Sequence, residues 1–156
     1  MASTALPPVG IAGLGLYFPE RVLTGQEIAA RSGLPEFVVL EKMGIRKVHV
    51  AGPEDTITAM AARAAERALA DAGLSAADLD LVLYHGSEYK DHIVWSAASK
   101  IQNLIGATNA YAFEMYALCA GAPIAFQAAR NMMRLDRRLE NVLLVSASRE
   151  NDLIDF

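Results

Sequence analysis

The sequence predicts an α/β domain, a mostly parallel sheet with helices packed on it. Three observations carry this expectation. Short apolar runs alternate along the chain with stretches of helical period. Two of those runs, Leu79 to Tyr84 and Asn141 to Ala147, are apolar on nearly every residue, as strands covered on both faces are. Alanine is abundant and proline sparse, which suits helices lying close on a flat surface.

The elements follow in order. Val9 to Tyr17 reads as a first buried strand of small residues. Thr24 and Glu27 have capping-box spacing, so a short helix is expected over Gly25 to Arg31. Pro35 can open a second helix running to Met43, and Gly44 sits where a helix C-cap belongs. Arg46 to Val50 alternates polar and apolar, the pattern of an exposed or edge strand. The clearest helix is Thr56 to Ala72, capped by Asp55 or Thr56 and ended by Gly73. Its stripe is Ile57, Met60, Ala61, Ala64, Ala65, Ala68 and Leu69. Ser75 to Asp78 is a capped turn, Leu79 to Tyr84 a buried strand, and Gly86 to Ile93 a polar loop. A helix over Ser96 to Ile105 ends at Gly106, and Ala110 to Glu114 is a short strand. Leu118 to Met133 is apolar on nearly all sides and is expected as a buried helix. Asn141 to Ala147 is the last strand.

Composition narrows the function classes. With 156 residues the chain has the length of one domain and can bury a core. It is 53% hydrophobic and 21% charged, unlike a disordered tail. A net charge of −4 offers no basic face for nucleic acid. No apolar run approaches the roughly 20 residues of a membrane span. Met1 to Pro8 carries no basic-then-apolar signal and is read as a flexible lead, with residues 9–156 as the folded part. A single cysteine excludes an internal disulfide framework and a Cys-rich zinc site, and no metal is expected. The expectation is a cytoplasmic protein that binds neither nucleic acid nor membrane.

Two features invite chemistry. Gly10, Gly13 and Gly15 follow a strand-like start, but Leu16, Tyr17 and Phe18 stand where a dinucleotide fingerprint needs a third glycine. Pro19 then blocks the helix whose N-terminus would hold the phosphates. Cys119 is the stronger candidate. It lies between a strand and a helix, followed by Ala120, Gly121 and Ala122, which leave room for a substrate. A thiol at a helix N-terminus sees the positive end of the dipole, which favours thiolate. The alternative is a small buried hydrophobe.

Phe113-Glu114-Met115-Tyr116-Ala117-Leu118-Cys119-Ala120-Gly121 resembles the nucleophile segment of 3-oxoacyl-ACP synthase III and its thiolase-superfamily relatives. Gly44-Ile45-Arg46, the helix end Asp71-Ala72-Gly73-Leu74, Ser96 to Gly106 and Asn141 to Ser148 match the family in order, over about Val9 to Glu150. The resemblance implies the layered α/β/α/β/α thiolase fold built from two similar halves, this chain being the N-terminal βαβαβ-type half. It implies that Cys119 attacks an acyl thioester and holds the acyl group before carbon–carbon bond formation. The substrates implied are acyl-CoA or acyl carrier protein thioesters, with no separate cofactor. The family's helper histidine and asparagine lie in the second half and have no counterpart here.

Gly86-Ser87-Glu88 and Phe113-Glu114-Met115 are similar to HMG-CoA synthase, a sister family, which makes Glu88 a candidate general acid/base. Glu36 to Met43 offers Phe37 and Val38 where ketoacyl synthases stack a tryptophan on the coenzyme A adenine, and Lys42 falls where an arginine often meets the nucleotide. Val94 and Trp95 fall where family members meet the acyl pocket, in places across a dimer interface. Of the histidines, His49 reads as surface, while His85 and His92 flank the loop after a strand C-terminus, where α/β folds carry sites. A half of this fold exposes an apolar face, and Phe126, Met132 and Met133 need cover. A homodimer, or a second polypeptide supplying the other half, is therefore expected. The second function class is a non-catalytic partner subunit of a condensing complex.

Overall fold

Leu81–Tyr84 (β3) is buried at every residue and forms the centre of the fold. It pairs in parallel with Tyr111–Glu114 (β4) on one side and with Val142–Val145 (β5) on the other. Leu81 stands opposite both Tyr111 and Val142, and Tyr84 opposite Glu114 and Val145. The order β4-β3-β5 explains the near-continuous apolar run, since a central parallel strand meets helices on both faces. The computed structural model describes residues 6–87, 90–150 and 153.

Two compact units emerge, one of residues 1–17 with 57–148 and one of 18–56 with 149–156. In the first, side chains alternate across β3. Val82 and Tyr84 face a core built from Ile57, Ala61 and Ala65 of Ile57–Ala72 (α2) and from Ala97, Ala98 and Ile101 of Ala97–Ile105 (α3). Leu81 and Leu83 face the opposite side, against Ala125 of Gly121–Leu135 (α4), with Met132 and Met133 packed around them. The result is helix, sheet, helix in three layers, where the strand–helix alternation predicts helices on at least one face.

Local chemistry sets the helix ends. Ser96 caps α3 by accepting from Ser99 N, and Gly106 ends it with φ of 75°, a conformation glycine adopts without cost. The donors at the start of α2 are met at long range. Asp91 accepts from Ile57 N at 2.8 Å, Thr58 N at 3.2 Å and Thr58 Oγ1 at 2.6 Å. Asp55 also accepts from Gly52 N.

The second unit is small. Val22–Thr24 (β1) pairs antiparallel with Lys47–His49 (β2), which is the expected edge strand shortened at both ends. Gly25–Ser32 (α1) carries the complete Thr24/Glu27 capping box. The expected helix to Met43 ends in a π-helical turn over Val38–Lys42. Leu23, Ile28, Ala29 and Val39 form its core.

Two expectations fail. Val9 to Tyr17 joins no ladder among the described residues and is nowhere fully buried, so it is not a buried strand. Its glycines press on α2: a Cβ at Gly13 or Gly15 would lie 2.6 Å or 2.1 Å from the backbone oxygens of Ala68 and Ala64. Its main chain bonds to side chains of α2, with Leu14 N donating to Asp71 and Arg67 donating to Leu16 O. Ile11, Leu14 and Leu16 consequently face outward. The helix after Cys119 is not buried all round either. Only Gly121, Ala125 and Ala129 are buried, while Ile124, Phe126 and Leu135 are exposed, because one sheet face covers one stripe of it.

Candidate functional site

The C-terminal ends of the three parallel strands meet at one edge of the first unit. Met115 N donates to Tyr84 O at 3.0 Å, His85 N to Val145 O at 3.0 Å and Ser87 N to Ala147 O at 3.3 Å. Ligands of parallel α/β sheets bind at this edge. Cys119 stands there, free and exposed.

The thiol is carried by a 3-10 turn, Leu118–Ala120, that leads directly into α4. Cys119 thus sits one residue outside the helix N-cap, Ala120, rather than in the first helical turn as the sequence reading had it. Ala117 has φ −148° and ψ 29°, and Leu118 has φ 48°. A bulky residue in left-handed backbone is a genuine outlier, of the kind that clusters at active sites. Leu118 pays that cost with an exposed side chain, so packing of the leucine does not repay it. Ala120 N closes the turn on Ala117 O at 2.9 Å.

Gly121 is small for a reason. A Cβ there would approach the His85 carbonyl oxygen to 3.0 Å and His85 Nδ1 to 3.8 Å. The strand end at His85 therefore lies against the first residue of α4, two residues beyond the cysteine. His85 is half-buried, and that burial pushes its imidazole below its ordinary value, so the neutral ring is favoured.

Beside the turn lies an ion pair that no local pattern announces. Glu114 ends β4, and its carboxylate accepts from Lys90 Nζ at 2.9 Å, from Ala98 N at 3.0 Å and from the Tyr116 hydroxyl. Lys90 also donates to Trp95 O at 2.6 Å. Burial pushes the Glu114 carboxyl up, and the bonds from Tyr116, Lys90 and Ala98 outweigh it, leaving it below the usual carboxylate value. The sequence reading placed Glu114 in the family segment but gave it no role. Lys90 and Asp91 lie in the polar loop Gly86 to Ile93, where the sequence assigns them no role. Partners 24 and 34 residues away leave no trace in local spacing.

The other candidates fall as follows. Glu88 lies outside the described residues. Val94 is fully exposed with φ 53°, beside exposed Ile93. Trp95 is half-buried on the core cluster of α2 and α3, with His92 edge-on at 5.0 Å. Lys42 is exposed on the π-helical turn of the second unit, with Phe37 exposed beside it. His49 is exposed and pairs with Pro19 O through Nδ1.

A cavity of about 420 Å³ lies elsewhere in the first unit, between β5, α2, α4 and the extended Val9 to Gly15. Cys119 does not line it. Among the described residues no helix is long and apolar enough to cross a membrane.

No family model matches the chain. Individual relatives do. The chain is 32% identical, over 146 residues and 94% of its length, to the beta-ketoacyl-[acyl-carrier-protein] synthase III of Rickettsia rickettsii, of which it spans 45%. Among solved structures, the priming beta-ketosynthase of the R1128 polyketide pathway superposes with a TM-score of 0.84 at 31% identity, covering 93% of this chain and 43% of that one. The 3-oxoacyl-[acyl-carrier-protein] synthase III of Aquifex aeolicus does so with a TM-score of 0.80 at 30% identity, covering 91% and 45%. The chain thus has the thiolase-like fold, and the resemblance to 3-oxoacyl-ACP synthase III read around Cys119 is borne out. It spans about half the length of the curated relatives it matches.

Proposed function

We propose that the chain is the nucleophile-bearing half of an acyl-thioester condensing enzyme of the 3-oxoacyl-ACP synthase III kind, acting in fatty-acid synthesis in the cytoplasm. The observation that carries this reading is Cys119 itself: an exposed thiol on a strained turn, at the strand C-termini, in a chain 32% identical to such a synthase. In the proposed reaction the Cys119 sulfur forms a bond to the acyl carbon of an acyl-CoA or acyl carrier protein thioester. The carbon–sulfur bond to the donor breaks, and the donor thiol leaves with the cysteine's proton. The α-carbon of a second thioester then bonds to the acyl carbon as the acyl–sulfur bond to Cys119 breaks and the thiol regains a proton. The electron pair comes from loss of carbon dioxide when the second thioester is malonyl, and otherwise from loss of an α-proton to a base. No bound cofactor enters. Glu88 is the candidate acid/base residue of the sister HMG-CoA synthase-like variant. Lys42, Val94 and Trp95 remain proposed substrate contacts.

Completion by a second copy or a second polypeptide is part of the proposal. Two features support it. The outer edge of β5 faces the cavity rather than another strand, and Phe126 and Ile124 of α4 are exposed. A non-catalytic partner subunit would need the same association but no thiol.

Intact-protein mass spectrometry after incubation with a short-chain acyl-CoA tests the reading. One acyl mass is expected on the wild type and none on Cys119→Ser. Acylation that persists in Cys119→Ala refutes the nucleophile assignment. An unmodified wild type, tested with its partner polypeptide present, favours the non-catalytic subunit.

A further inference from the structure

One largely buried carboxylate meets the segment that leads into the cysteine turn. Glu114 is the last residue of β4, and its side chain is only 12% exposed. Its Oε1 accepts from Ala98 N in the first turn of α3. Its Oε2 accepts from Lys90 Nζ, in the loop after β3, and from the Tyr116 hydroxyl, three residues before Cys119. Lys90 is tied in turn to Trp95 O and lies 5.4 Å from the centre of the Tyr116 ring. Tyr116 packs edge-on against Tyr84, the last residue of β3, with ring centres 6.3 Å apart. Four segments therefore converge on one carboxylate.

Between Tyr116 and the thiol stand only Ala117 and Leu118. Leu118 is left-handed, a conformation that a bulky residue keeps only when its flanks impose it. The downstream flank is Gly121, seated on the His85 carbonyl at the start of α4. The upstream flank is Tyr116, whose hydroxyl donates to Glu114 and whose ring packs on Tyr84. Freed at that end, the turn can relax toward negative φ at Leu118 and carry Cys119 with it.

We propose that Glu114, charged and paired with Lys90, is a positioning residue for the Cys119 turn. This rests on the reading of Cys119 as nucleophile, and it assigns Glu114 no contact with the acyl group. The charge matters. A glutamine keeps the shape but presents an NH₂ group or a neutral oxygen to an ammonium and a hydroxyl that both donate, and it leaves Lys90 without a counter-charge in a half-buried site.

Amide hydrogen exchange on the full chain, with any partner polypeptide present, provides the test. In Glu114→Gln and in Lys90→Met, exchange at Tyr116 to Gly121 should rise at least tenfold while β3 and α2 keep wild-type protection. Lys90→Arg, which retains charge and donors, should restore protection. In the acyl-CoA assay, both disruptive variants should lose at least tenfold in acylation rate at saturating donor, with the half-saturating concentration little changed. Unchanged exchange at Tyr116 to Gly121 overturns the proposal. So does a rise shared equally by β3 and α2, which marks general destabilisation. Failure of the wild type to acylate refutes the nucleophile reading alone, and the exchange data still decide the role of Glu114.

Discussion

Asp91→Ala isolates a contact that holds both a helix and the loop above the candidate site. Asp91 is half-buried and accepts three bonds at the start of α2, at 2.8, 3.2 and 2.6 Å. Loss of an N-cap acceptor costs about 0.5–2 kcal/mol. Removing a carboxylate from the positive end of a 16-residue helix adds about 0.3–1 kcal/mol. The Thr58 hydroxyl, 2.6 Å away, loses its acceptor as well, though it can turn toward another. Together these give a destabilisation of about 1–3 kcal/mol, and less for Asp91→Asn, which keeps one acceptor oxygen. For about 150 residues that is a fall in Tm of roughly 2–12 °C for the alanine variant. Urea denaturation followed by far-UV circular dichroism measures it, with the slope checked so that a change in midpoint reports stability. An Asp91→Ala midpoint within about 0.5 kcal/mol of wild type refutes the reasoning, since surface substitutions fall in that range. It would mean that the first turn of α2 finds other acceptors at no cost.

Two further predictions follow from the core and the titrating groups. Ile101 of α3 is fully buried between α2 and β3, so Ile101→Ala should cost about 2–5 kcal/mol by denaturant melt, while Leu104→Ala, exposed on the same helix, should cost far less. Acid should weaken the first unit in two stages. His85 is held below its ordinary 6.5, so the stability tied to its neutral form is complete above that pH and is lost as pH falls below it. Glu114 is held below its ordinary 4.5, so its contribution is complete above that value and is lost as pH falls through the lower folded value. Urea midpoints from pH 8 to pH 3 should lose the first stage in His85→Asn and the second in Glu114→Gln.

How much was legible in the sequence depends on the range of each interaction. The Thr24/Glu27 box and the helix end at Gly106 lie within a few residues of what they cap, and each stands where the spacing put it, while Ser96, read as the first residue of its helix, is the cap. The parallel sheet was implied by the strand–helix alternation, but its order β4-β3-β5 was not, because the buried runs at β3 and β5 read alike along the chain. Val9 to Tyr17 shows where periodicity misleads. Small and apolar residues in alternation fit a strand equally well as an extended segment whose glycines lie against a helix backbone, and local pattern cannot separate them. The helix after Cys119 was read as buried because apolar side chains surround it. Burial depends on how many layers meet a helix, and one sheet covers one stripe.

The sequence by itself determined the strand–helix alternation, the short-range caps and the cysteine between β4 and α4, because each is encoded by neighbours along the chain. Only the tertiary structure decided what surrounds that cysteine. Asp91 reaches α2 across 34 residues, Lys90 reaches Glu114 across 24, and the His85 carbonyl sets the room at Gly121. Such partners are chosen when parallel strands bring their C-terminal ends to one edge, and the energy of each contact exists only after that closure. Covalent order placed the thiol in the chain; packing determined which charges and which backbone strain lie beside it.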